Sequence, residues 1–173
     1  QKVENYYRMG VYCLDNHDPH GAINHCSNAL EIDPKFEAAY FTRGVAKDDL
    51  HDFEGAIRDY NFVLMINPMY AETYNRRGDA KAKIQDYSGA IEDFKSAIEI
   101  DYFNASYYYN LGNVFIQLDD NVNAIKLLTY AIQMKPNYVK AYISRGIALS
   151  KLKKLKEGLD DFNYAISIDP HNN

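Results

Sequence analysis

Residues 37–70 read EAAYFTRGVAKDDLHDFEGAIRDYNFVLMINPMY. Tyr40, Gly44 and Leu50 lie on one helical spacing, and Ala56, Ile57, Tyr60, Val63 and Leu64 lie on a second. Asp52 stands just before Phe53, where a side-chain oxygen can accept from the first free amides of a helix. Pro68 closes the second stretch, because proline lacks an N–H and disfavours a helical residue before it. The segment therefore predicts two helices joined by a short polar turn.

The same segment recurs on both sides. Gly10, Gly44, Gly78, Gly112 and Gly146 stand 34 residues apart, and so do Tyr6, Tyr40, Tyr74, Tyr108 and Tyr142. Pro34, Pro68, Pro136 and Pro170 keep the step, which only Tyr102 breaks. A fixed period of this length predicts a stack of similar supersecondary units rather than one globular core. Counting position 1 from Val3, the repeats are 3–36, 37–70, 71–104, 105–138 and 139–172, and residues 1–173 read as a single array.

Position 20 is Ala22, Ala56, Ala90 and Ala124, then Gly158; position 24 is Cys26, Tyr60, Phe94, Leu128 and Phe162; position 27 is Ala29, Val63, Ala97, Ala131 and Ala165. With Tyr at 4, Gly at 8 and Pro at 32, this pattern resembles the tetratricopeptide repeat family, Tyr replacing the usual Trp at position 4. The resemblance covers essentially the whole chain. It implies an all-α fold: a right-handed α-α superhelix of five helix-turn-helix repeats, about ten helices in all.

In an antiparallel hairpin, facing positions sum to about 28–30, so Gly at 8 is expected to meet the small residue at 20. Position 7 is Arg43, Arg77 and Arg145 in repeats 2, 3 and 5, and position 23 in those repeats is Asp59, Asp93 and Asp161. These sum to 30, which predicts three structural ion pairs. Repeats 1 and 4 have Met9 with His25 and Leu111 with Leu127 instead. Asp18, Asp52 and Asp86 are expected to cap second helices.

Bulk properties narrow the function. Net charge is −5 and pI about 5.5, against a phosphate-tracking nucleic-acid partner. No apolar run approaches a membrane span, so no membrane insertion is expected, and the N-terminus lacks a signal-peptide layout. Without a starting Met, the chain reads as an excised or processed segment. Cys13, His17, His20, His25 and Cys26 crowd repeat 1, but the cysteines fall on core positions 11 and 24 and two histidines flank the turn; we expect neither metal nor disulfide. Nucleophile-elbow, phosphate-loop, dinucleotide and paired-His motifs are missing, so no cofactor and no catalysis are expected. Lys151–Lys156 reads as a solvated basic turn.

In the family, first helices line a concave groove. The resemblance thus places Tyr7, Val11, Phe41, Val45, Asn75, Asp79, Tyr109, Asn110, Asn113 and Lys140 in a peptide-binding groove. The lining grades from apolar in the first two repeats to amide-rich in the next two, and amides both donate to and accept from peptide backbone. The pattern that clamps acidic chaperone tails is not matched at any starting repeat. The expected function is a non-catalytic protein-interaction scaffold with a protein or peptide partner. A structural assembly module using ends or convex face, and an accessory arm of a larger enzyme, are the alternatives. The last second helix carries Leu159, Phe162, Ile166 and Ile168, which predicts a following helix, a covering partner, or end-to-end self-association.

Overall fold

The structure is a computed structural model that describes residues 1–169; Pro170 and the end of the fifth repeat lie outside the described residues. It contains ten α-helices and no strand among those residues. They divide into two compact units, Gln1–Ile100 and Asp101–Asn173. The first unit holds α1 (Lys2–Asp15), α2 (Pro19–Ile32), α3 (Glu37–Asp49), α4 (Phe53–Ile66), α5 (Ala71–Lys83) and α6 (Tyr87–Ile100). The second holds α7 (Ala105–Gln117), α8 (Asn121–Met134), α9 (Val139–Lys151) and α10 (Leu155–Ile168). Within each unit every first helix packs on the second helix of its own hairpin, and α3, α5 and α9 also pack on the second helix before them.

Both ends of the second helices have local causes. Asp18, Asp52 and Asp86 accept from the amides of Gly21, Gly55 and Gly89, and Asp120 does the same for Asn123. Repeat 5 has Lys154 at that place and no side-chain cap. Proline is not required to end a second helix. α6 stops at Ile100 although Tyr102 stands where the others have proline. The carboxylate of Asp101 accepts from the Phe103 amide at 3.3 Å, as Asp33 and Asn67 do from Lys35 and Met69, so repeats 1–3 share a side-chain turn one residue ahead of the proline position, while repeat 4 has Lys135 before Pro136 there.

The turn inside each hairpin has a feature the sequence hides. His17, His51, Gln85, Asp119 and Lys153 all adopt left-handed backbone, φ 59° to 65°. Each sits just past a first helix, and the next amide returns to a carbonyl five residues back, as Asp52 N–H does to Lys47 at 2.9 Å. Glycine is the usual residue there, and no repeat uses it.

The glycines at position 8 approach position 20 as expected, a Cβ on Gly158 falling 3.0 Å from the Gly146 carbonyl oxygen, but their nearest neighbour is another residue. A Cβ on Gly44 would lie 2.7 Å from a ring carbon of Tyr60, and one on Gly146 would lie 2.6 Å from Phe162. On Gly112 it would lie 2.9 Å from Leu128. The closest atoms thus belong to position 24, while position 20 contributes only a backbone oxygen at 3.4–3.5 Å in repeats 1 and 4. The glycine makes room for a large side chain crossing the hairpin, which explains why Tyr60, Phe94 and Leu128 are essentially sealed from solvent.

Candidate functional site

The arginines at position 7 are held from three sides. Arg43 donates through Nε and Nη2 to both carboxylate oxygens of Asp59, at 2.9 and 2.8 Å. Arg77 grips Asp93 at 2.9 and 2.6 Å, and Arg145 grips Asp161 at 2.8 and 2.7 Å. All three carboxylates are buried. Each guanidinium also lies 5.4–5.5 Å from the position-4 tyrosine ring of its own helix, Tyr40, Tyr74 or Tyr142. Its remaining Nη1 reaches the preceding hairpin: Ser27 at 3.0 Å, Asn61 at 2.7 Å and Thr129 at 3.1 Å. Lys47 and Lys81 add a second cation to Asp59 and Asp93, at 2.7 and 2.9 Å. These groups tie each hairpin to the one before it.

On the first-helix face of the first unit, Tyr7 meets Phe36 edge-on with centroids 5.0 Å apart, and Phe41 stacks on Tyr70 at 5.2 Å. With Ala38 and Ile66 these rings line a cavity of about 430 Å³, and Lys35 and Glu37 stand at its wall. Val11 and Val45 are half-buried on the same helices. Further along, the Lys83 ammonium bridges Asp48 and Asp79, at 3.0 Å to each. Burial opposes its charge, but hydrogen bonds to the two carboxylates outweigh that and raise its pKa above the ordinary lysine value. Asp79 is thus engaged in this bridge. Asn75 is buried, 8% exposed, so its amide is not freely presented.

In the second unit, Tyr109 tilts against Tyr138 with centroids 5.0 Å apart, and the Lys135 ammonium lies 4.8 Å from the Tyr138 ring. Asn110 and Asn113 are half-buried on α7, and Lys140 is exposed on α9. Lys151 reaches Asp119 and the Ile116 carbonyl, both at 3.4 Å. The Asp119 carboxyl is held below its usual range by its hydrogen bond from Asn121 and then by Lys151.

Sequence reasoning missed the partners of the groove rings. Phe36, Tyr70 and Tyr138 all occupy position 34, where the first helix of the next repeat begins. The signal was present in the frame: position 34 is aromatic in repeats 1, 2 and 4, where position 5 is also aromatic, and Asn104 accompanies Asn75 in repeat 3. As helix starts, Phe36, Tyr70 and Tyr138 make no side-chain cap, so those aromatics serve packing there.

Cys13 and Cys26 are both free. Cys26 is buried, and burial pushes its thiol up to about 12; Cys13, on an expected core position, is only half-buried. Among the described residues no group of three or more His, Cys, Asp or Glu side chains is placed to hold a metal ion, and no helix is long and apolar enough to cross a membrane.

A tetratricopeptide repeat model matches residues 105–138 and 139–172, and a second model of that repeat matches 78–119. The chain belongs to the tetratricopeptide repeat family. Proteins of this family are generally non-catalytic interaction scaffolds, and the fold is the all-α solenoid type of the family. A crystal structure of MamA protein is 25% identical, superposes with a TM-score of 0.86, and aligns over 98% of this chain and 92% of that one. MamA from Desulfovibrio magneticus RS-1, residue 41 to the end, gives a TM-score of 0.90 at 18% identity, over 100% and 98% of the two chains. YrrB, described as a tetratricopeptide repeat protein with an unusual peptide-binding site, gives 0.78 at 16% identity, over 96% and 86%. At 18% and 16% identity the likeness is one of fold. No curated protein sequence matches the chain.

Proposed function

We propose that this tetratricopeptide repeat protein is a non-catalytic scaffold that holds a peptide or helix of a protein partner on its first-helix face, and that the first unit takes an apolar side chain of that partner. The aromatic cavity carries the reading: about 430 Å³, walled by Tyr7, Phe36, Phe41 and Tyr70, it is the size of a large side chain and its immediate backbone. Burying one such side chain stabilises a complex by about 1.5–3 kcal/mol. Lys35 and Glu37 at the wall suit the polar backbone of an extended segment. In the second unit, Asn110, Asn113 and Tyr109 form a second, amide-bearing stretch that would read little sequence, and Lys140 adds a cation. The mild acidity of the chain supports a protein partner over a nucleic acid.

A peptide-display screen tests this, run in parallel on the native chain and on Phe41→Asp and Asn110→Ala/Asn113→Ala variants. Selected peptides should share one large apolar residue, and Phe41→Asp should abolish their capture while the amide variant weakens it uniformly. Capture that survives Phe41→Asp in a folded variant, checked by circular dichroism, would remove the cavity from the site.

A further inference from the structure

The buried carboxylates at position 23 do not all keep the same company. Asp59 is held by Lys47 as well as Arg43, and Asp93 by Lys81 as well as Arg77; each lysine ammonium lies on Oδ2, at 2.7 and 2.9 Å. Both carboxylates thus sit between a guanidinium and an ammonium. The Lys81 ammonium also donates to the Gly89 carbonyl at 3.5 Å.

Repeat 5 lacks the second cation. Position 11 is Leu149 there, and a surface cavity of about 360 Å³ opens beside Asp161, walled by α8, α9 and α10. Leu149 and Ile125 supply its apolar wall. Glu157 stands at position 19, where Gly89 faces Lys81 in repeat 3, and Asp160 stands at position 22. Among the described residues the cavity wall carries one cation, Arg145, against three carboxylates. Lys154 reaches Glu157 only at 3.6 Å with both side chains more than half exposed, so it offsets that carboxylate weakly. A further hairpin does not seal this place, since Lys47, whose hairpin is followed by another in its unit, keeps its side chain 17% exposed.

We propose that this cavity binds a primary alkylammonium group, carried by a lysine of a partner or by a free alkylamine, with its head on Asp161 as Lys47 and Lys81 lie on Asp59 and Asp93. Leu149 and Ile125 receive the aliphatic stem, which a lysine buries readily while its head stays on polar atoms. An ammonium has three N–H donors, and Glu157 and Asp160 accept those that Asp161, already gripped by Arg145, does not. The chain seats its own ammonium on the equivalent carboxylate twice. Repeat 5 keeps the carboxylate, gains Glu157 beside it, and withdraws the ammonium.

Three probes are titrated into the full chain and followed by amide and methyl chemical shifts: n-butylammonium, n-butyltrimethylammonium and Nα-acetyl-lysine methylamide. Butylammonium should give saturable shifts at Leu149, Glu157, Asp160 and Asp161 with a Kd of about 1 mM. The trimethyl compound has the same charge and no N–H, and should bind at least about tenfold more weakly. Leu149→Lys restores the arrangement of repeats 2 and 3 and should abolish binding. Glu157→Gln with Asp160→Asn, both exposed, should weaken it about tenfold and still fold, which circular dichroism checks for each variant. Phe41→Asp should leave it unchanged, so this site and the aromatic cavity fail separately. Lysine methylamide binding as tightly as butylammonium assigns the cavity to a partner's lysine; binding of butylammonium alone assigns it to a free amine. The proposal is overturned by no saturable shift at tens of millimolar butylammonium, by equal affinity for the trimethyl compound, or by undiminished binding in folded Leu149→Lys or in the double carboxamide variant.

Discussion

Repeat 5 permits a clean test of what the arginine grip contributes. Among the described residues Asp161 there is held by Arg145 alone, because position 11 is Leu149 where repeats 2 and 3 add a lysine. Removing the carboxylate with Asp161→Leu leaves a guanidinium whose side chain is 20% exposed and still has Thr129 and the Tyr142 ring, so we expect a loss of about 2 kcal/mol. Removing the cation with Arg145→Leu strands a carboxylate whose side chain is only 9% exposed, and should cost about 3 kcal/mol. Independent effects would add to about 5 kcal/mol. The double variant should instead lose only about 1–2 kcal/mol, because it installs the pair that repeat 4 already uses, Leu111 with Leu127. The expected coupling is therefore about 3–4 kcal/mol, at or just above the upper range for side chains in direct contact. Urea unfolding followed by far-ultraviolet circular dichroism measures it, with an unchanged m-value showing that the chain still unfolds as before rather than unravelling from one end. A double variant that loses the full additive amount would refute the reasoning, since the pair would then hold something that leucines at these places cannot replace.

Four further outcomes follow from the same geometry. Lys154→Asp should restore the missing cap of α10 and stabilise the chain by about 1 kcal/mol in a urea melt. Gln85→Gly, at a left-handed residue, should gain about 0.5–1 kcal/mol, the relief of the Cβ clash outweighing the extra freedom of the unfolded chain; a loss would contradict the left-handed turn. The Tyr60 hydroxyl is buried without a hydrogen-bond partner in the protein, and repeats 3 and 5 have Phe94 and Phe162 at that place, so Tyr60→Phe should be neutral or stabilising by up to about 1 kcal/mol on thermal melting. Because its pKa is raised, Cys26 is almost wholly neutral thiol at pH about 8 and gains reactivity only as pH approaches about 12; iodoacetamide should label Cys13 first and Cys26 only in urea, and equal labelling rates by mass spectrometry would show that Cys26 is not sealed.

What the sequence by itself determined is the repeat. A glycine, a tyrosine and a small residue returning every 34 places dictate a hairpin of two helices, because only that unit buries apolar faces at three- and four-residue spacing and leaves room for a close crossing. Arg and Asp substituting together at positions 7 and 23 carried a spatial statement in one dimension, since a charge survives burial only beside its partner. Tertiary structure decided which side chain fills the space over each glycine. Side-chain length and direction, not backbone register, bring Tyr60 rather than Ala56 closest to Gly44. It also decided the left-handed turn residues, which no glycine announces, because the returning amides of the hairpin compensate a backbone strain that composition cannot reveal. The candidate site divides the same way. Tyr7 and Phe41 were legible from their place in the frame, but a cavity exists only because Phe36 and Tyr70 come from the ends of neighbouring hairpins to wall it, and Asn75, in the same position of its own helix, is buried instead of presented.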